Sequence, residues 1–112
     1  MKALLIQVAD HMQVDLDIVE VAVQLFLFAN NVWDQTIIIS SSNVQSQWLF
    51  CSFFLVVKVV YEDDATLLRC LTLIRRRFKV QRRHWAEMEL HYLKTVNFGL
   101  ADFVLRALHL LS

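Results

Sequence analysis

Proline is missing from all 112 residues, and glycine occurs once, at Gly99. Without proline, no segment has its φ locked or loses an amide donor. With a single glycine, few turns can take a left-handed residue free of steric cost. Sheets joined by tight hairpins need such turn residues, so their scarcity favours an all-helical domain with short connections. Cysteine is almost absent too. Cys51 and Cys70 sit in apolar surroundings without Cys-x-x-Cys spacing. That argues against a disulfide framework and for two buried thiols in a reducing compartment. No secretory signal opens the chain, because residues 1–12 are amphipathic and carry Asp10.

Constellations that carry chemistry are lacking as well. His11, His84, His91 and His109 are scattered, with no His-Glu-x-x-His or Cys/His spacing that would hold zinc. No Ser/His/Asp, Cys/His, paired-carboxylate or glycine-rich phosphate pattern is present, so an enzyme is not expected. Neither a metal nor a cofactor is expected.

What is abundant is apolar surface. Hydrophobic residues make up 57% of the chain and the mean hydropathy is +0.46. A chain of this length forms one domain, residues 1–112, with a single core. The apolar surplus suggests that some of it faces a partner or supports self-association. Net charge is zero, but its distribution is uneven. Before Ala65 the only cations are Lys2 and Lys58, against Asp10, Asp15, Asp17, Glu20, Asp34, Glu62, Asp63 and Asp64. From Arg69 to Arg83 every charge is basic: Arg69, Arg75, Arg76, Arg77, Lys79, Arg82 and Arg83. Such a run reads as a solvated turn between helices, or as a patch for phosphate, acidic peptide or nucleic acid.

The organising stretch is Val44 to Tyr61, VQSQWLFCSFFLVVKVVY. It follows Ser42 and Asn43, residues of N-cap type, and contains nothing that breaks a helix. Past Trp48 nearly every position is apolar, the pattern of a helix at the centre of a bundle or of a membrane span. A span wants about 20 predominantly apolar residues. The run from Trp48 to Tyr61 is shorter and carries Lys58, so a bundle core is expected and a span is not. Lys58 is the only charge between Gln35 and Tyr61. A lone ammonium there must snorkel, lower its pKa, or be held by a partner.

Around this centre the other elements follow in order. Residues 1–12 form a short helix with Leu4, Leu5, Val8 and Met12 on one face. Asp15 and Asp17 mark the next start, and Ile18 to Val32 reads as a second, mostly buried helix. Thr36 to Ile39 reads as an extended connector. Asp63 and Asp64 cap a fourth segment from Ala65 to about Ile74. A fifth helix runs from about Gln81 to Val96, with Trp85, Met88, Tyr92, Leu93 and Val96 as its apolar stripe. Glu89 falls inside that stripe, four residues from both Trp85 and Leu93, a second misplaced charge. Gly99 lies where a helix C-terminus takes a left-handed residue. Asp102 to Leu111 closes the chain as a short helix.

These elements resemble the cyclin box, the five-helix fold that binds cyclin-dependent kinases. The opening MKALL is similar to the M-R-A-I-L of the first cyclin-box helix. Phe54 to Lys58, then Tyr61-Glu62, stand where cyclins carry apolar residues, Ala-Ser-Lys and an aromatic followed by acids. MELHYLKTVNFGL, Met88 to Leu100, resembles the fifth helix of mitotic B-type cyclins. Helix order and spacing agree along almost all of the chain.

The resemblance implies a single five-helix cyclin-box bundle around a buried central helix, with a short C-terminal helix. It also implies a regulatory subunit that binds and activates a cyclin-dependent protein kinase in cell-cycle control, in the cytoplasm or nucleus. In that family a lysine of the central helix and a glutamate of the fifth contact the kinase. These fall on Lys58 and Glu89, with Phe54 and Tyr61 beside them. A Lys58–Glu89 pair that merely staples the two helices is the competing reading. The docking patch for Arg-x-Leu substrates falls on Met1, Leu4, Leu5 and Val8, but cyclins carry a tryptophan where this chain has Val8. Weak or absent docking is therefore expected. Val56-Val57 replaces the small Ala-Ser of the family. Set against the family, a helix leading into the first one, a destruction box before Met1 and a second cyclin fold after Ser112 are not expected here. A truncated product, a divergent single-box cyclin and a fold relative with another partner all fit that pattern. A cyclin-fold adaptor that binds a transcription or nucleic-acid partner through residues 75–83 is the alternative function.

Overall fold

The computed structural model describes residues 2–33 and 41–111, with six helices and no strand among them. They are α1 (Lys2–Met12), α2 (Leu16–Val32), α3 (Ser42–Val60), α4 (Asp64–Arg77), α5 (Arg82–Thr95) and α6 (Leu100–Leu111). The all-α class expected from the composition is the class observed. The connector expected at Thr36 to Ile39 lies outside the described residues.

Short polar side chains set where helices begin. Asp15 accepts the Asp17 amide at 3.0 Å, so α2 opens two residues earlier than the apolar pattern indicated. Ser41, rather than Ser42 or Asn43, caps α3 by accepting the Val44 amide at 3.3 Å. Asp63 caps α4 most fully, accepting both the Thr66 amide at 2.9 Å and the Thr66 hydroxyl at 2.6 Å. Those two bonds from Thr66 hold the Asp63 carboxyl below its ordinary pKa. α4 runs a turn beyond the expected Ile74. Arg75, Arg76 and Arg77 occupy its last turn, where cations suit the negative end of the helix dipole.

Helix ends correct one expectation. Gly99 is not the left-handed residue: Asn97 (φ 55°) and Phe98 (φ 59°) are. The Phe98 amide reaches back to the Leu93 carbonyl at 2.7 Å and the Asn97 amide to Lys94 at 3.0 Å, closing α5. Asparagine tolerates this conformation; a bulky Phe rarely adopts it. Gly99 instead accepts the Phe103 amide as α6 begins. A Cβ there would lie 3.3 Å from the Val96 carbonyl oxygen, which explains glycine without any positive φ. α1 closes in the same manner as α5, with Gln13 left-handed and the Val14 amide on the Ala9 carbonyl at 2.9 Å.

α3 is the axis of the bundle. It packs on α2 most extensively and also on α4, α5 and α6, while α1 lies across α2 and α4. Every residue from Leu49 to Val57 is buried, because neighbours cover α3 on all sides there. By length and composition α3 is also long and apolar enough to cross a membrane, and half of its apolar window is buried by the other helices. Polar groups in this interior are paired. The Ser52 hydroxyl donates to the Ala22 carbonyl of α2 at 2.6 Å. The Tyr92 hydroxyl donates to the Trp48 carbonyl of α3 at 2.7 Å. No buried side-chain N or O among the described residues lacks a partner.

Cys51 and Cys70 are buried free thiols. Burial pushes Cys70 up to about 12 from an ordinary 9.0. The folded chain therefore keeps this proton at a pH where the unfolded chain has lost it. Its contribution to stability is full below about pH 9 and declines as pH rises toward 12. In urea melts, the stability margin of the wild type over Cys70→Ala should be constant up to about pH 9 and shrink above it. A margin that stays constant through the alkaline window would clear this thiol of any role.

Candidate functional site: the Lys58–Glu89 face

α3 leaves its buried stretch at Val57, and the next residue, Lys58, reaches solvent with 45% of its side chain exposed. α5 crosses α3 with Trp85, Met88 and Tyr92 turned inward. Glu89 follows one residue after Met88, at the edge of that buried stripe, with 19% of its side chain exposed. The two charges meet at the margin of the core, with Lys58 Nζ 3.9 Å from Glu89 Oε2. Trp85 Nε1 donates to the other carboxylate oxygen, Oε1, at 3.2 Å. Lys58 Nζ also lies 5.2 Å from the centre of the Phe54 ring, within cation–π range. Phe54 and Trp85 are ring neighbours at 6.2 Å. One ammonium, one carboxylate and two rings thus form a compact amphipathic patch.

Of the sequence-derived site residues, Lys58, Glu89 and Phe54 come together here. Tyr61 turns away from the patch. Its hydroxyl accepts the Asp15 amide at 3.3 Å, tying the end of α3 to the start of α2. Phe54 is buried and supports the ammonium from within. Trp85 was legible as a neighbour of Glu89 through its four-residue spacing, but not as the donor that orients the carboxylate. Beneath this face, burial pushes the Cys51 thiol well above its ordinary pKa; Glu89 adds to the rise and Lys58 opposes it. A thiol held protonated is not a nucleophile.

The other expected sites differ in kind. On α1, Leu5 is fully buried and points into the core, and Leu4 and Val8 pack partly buried against it. Met1 lies outside the described residues. Among the described residues of that patch, Leu4 and Val8 are the ones that keep some apolar surface open. In the basic segment Arg75, Arg76, Arg77, Lys79, Arg82 and Arg83 are all exposed. Phe78 pins the segment to the core, its ring 5.2 Å from Phe50. Arg75, Arg76 and Arg77 end α4 and Arg82 and Arg83 begin α5, so the segment is a solvated helix junction with a hydrophobic anchor. Arg83 pairs loosely with Glu87 at 3.6 Å, both well exposed. Among the described residues, no three His, Cys, Asp or Glu side chains converge as a metal site would require.

The class these features define is an all-α bundle with a charged pair at the edge of its core. No family model matches the chain, and neither a curated protein nor a solved structure matches it.

Because Lys58 is half in water, the pair contributes little to the fold, about 0–1 kcal/mol. Lys58→Ala and Glu89→Gln should each shift the free energy of unfolding in urea by less than about 1 kcal/mol. A buried staple would instead lose roughly 3–5 kcal/mol from either change, and melts showing that loss would reverse the assignment. On α1, titration with an Arg-x-Leu peptide should give no complex as tight as about 1 µM, equivalent to about −8 kcal/mol.

Proposed function

We propose that this chain is a cyclin-like regulatory subunit that binds and activates a cyclin-dependent protein kinase. The observation that carries the reading is the Lys58–Glu89 patch. Two charges singled out by the resemblance as kinase contacts lie 3.9 Å apart on adjoining helices, with the lysine half exposed. A contact residue must be reachable, and a pair at the rim of a hydrophobic core can exchange its internal partner for one across an interface. Phe54 and Trp85 are buried behind the charges and hold them in place, so a partner would meet an oriented pair rather than two free side chains.

In this reading the α3–α5 face packs on the mobile helix of the kinase that carries its conserved glutamate. Docking turns that helix inward and completes the Lys–Glu ion pair needed to hold ATP for phosphoryl transfer. The energy comes from binding the active arrangement more tightly than the inactive one. The regulatory chain does no chemistry itself. Its charged residues fix register and orientation, while apolar burial supplies most of the affinity.

The test is capture of a cyclin-dependent kinase by the tagged chain, with kinase activity measured in the captured complex. Lys58→Ala and Glu89→Gln, the latter keeping an acceptor for the Trp85 indole, should each weaken capture, by up to a few thousandfold, while the urea melts remain normal. Arg76→Ser with Arg82→Ser should leave capture unchanged, because both side chains are exposed at the α4–α5 junction and neither pairs with Lys58 or Glu89. Normal capture by the Lys58 and Glu89 variants would remove the reading. A salt-sensitive nucleic-acid complex lost in the double arginine variant would favour the adaptor function instead.

A further inference from the structure

A second surface lies between α2, α6 and the α5–α6 connection. It is an open groove of about 650 Å³, and neither Lys58 nor Glu89 lines it. Phe28, Phe103 and Leu110 supply its apolar walls, with Asp102 and Arg106 on the same helix as Phe103 and Leu110. The Phe28 and Phe103 rings are 5.5 Å apart, joining the α2 and α6 walls. Leu110 is 80% exposed and Phe98, next to the groove's end, is 66% exposed. Single exposed apolar residues are ordinary on any protein, but a cluster bordering a groove marks an interaction surface.

The charge pattern says what fits there. Asp102 and Arg106 are both exposed, sit one helical turn apart, and make no ion pair among the described residues. Opposite charges four residues apart on one helix are self-complementary in an antiparallel pair. A twofold axis at the level of Val104 brings Asp102 opposite Arg106 of the second copy, and the reverse. The same register carries Leu110 past Leu100, the first residue of the second copy's α6, toward the α5–α6 connection where Phe98 is exposed. One register therefore matches the unpaired charges and brings the two exposed apolar ends toward each other. We infer that the α2–α6 groove is a homodimer interface, with α6 helices antiparallel and Leu110 of each chain entering the groove of the other beside Phe98. This interface is independent of the kinase reading, because it uses a different face of the bundle.

Sedimentation equilibrium on the full chain tests the inference. The wild type should sediment at twice its monomer mass. Asp102→Arg and Arg106→Asp should each raise the dimer dissociation constant by about tenfold or more through like-charge repulsion. An equimolar mixture of those two variants should regain the wild-type constant, because each charge again meets its opposite in the heterodimer. Leu110→Asp, at a side chain already largely in water, should give a monomer with an unchanged circular dichroism spectrum. A wild type that is monomeric up to its solubility limit overturns the inference, whether its groove then binds an amphipathic peptide, a small apolar ligand or nothing. A dimeric Leu110→Asp chain, or a mixture no tighter than its components, overturns it equally.

Discussion

Everything in this bundle depends on the burial of one uninterrupted stretch, Leu49 to Val57 of α3. A helix apolar all round has no wet side, so it needs neighbours on every side before it is stable in water. α2, α4, α5 and α6 supply them. Each large side chain in such a stretch is worth a few kcal/mol against truncation, and Phe50, Phe53, Leu49 and Val56 are among the most deeply buried in the molecule. Two hydrogen bonds lock the arrangement, Ser52 to the backbone of α2 and Tyr92 to the backbone of α3. Each satisfies a polar atom that would otherwise be stranded in a low-dielectric interior.

The same constraint explains the placement of the charges. A lysine inside the stretch would have to lose its charge or find a buried partner. Lys58 comes one residue after the stretch ends, where its stem stays on apolar surface beside Phe54 and its ammonium reaches water and Glu89. Glu89 is held from the other side by Trp85, whose indole N–H would otherwise lack an acceptor. The patch is thus a product of the core's boundary. Its members are oriented by groups that are themselves packed, which is what a specific contact surface requires.

The two candidate surfaces lie on different edges of the bundle and differ in character. The α3–α5 face is charged, compact and backed by rings. The α2–α6 groove is open, mainly apolar and edged by a self-complementary pair of charges. A chain with 57% hydrophobic residues cannot bury all of them in one core of this size. Phe28 and Leu110 bring part of the remainder to the groove, and other exposed members such as Ile6, Leu16, Leu27 and Leu68 are scattered over the helices.

Helical periodicity alone determined a good deal. The number and order of the helices, the central position of α3, the capping role of Asp63, the burial of both cysteines and the nearness of Trp85 to Glu89 all follow from spacing along a single chain. Spacing within one helix fixes which residues share a face, but not the angle or axial register between two helices. The depth of Lys58, the turn of Tyr61 toward Asp15 and the groove between α2 and α6 therefore waited on tertiary packing. The end of α5 shows the same division at the scale of one turn. Composition pointed to Gly99 as the left-handed residue, yet Asn97 and Phe98 take that conformation and leave Gly99 to give room beside the Val96 carbonyl. The way α6 must return along α2 and α3 decided that, because a connection's backbone angles are set by where both of its helices are already held.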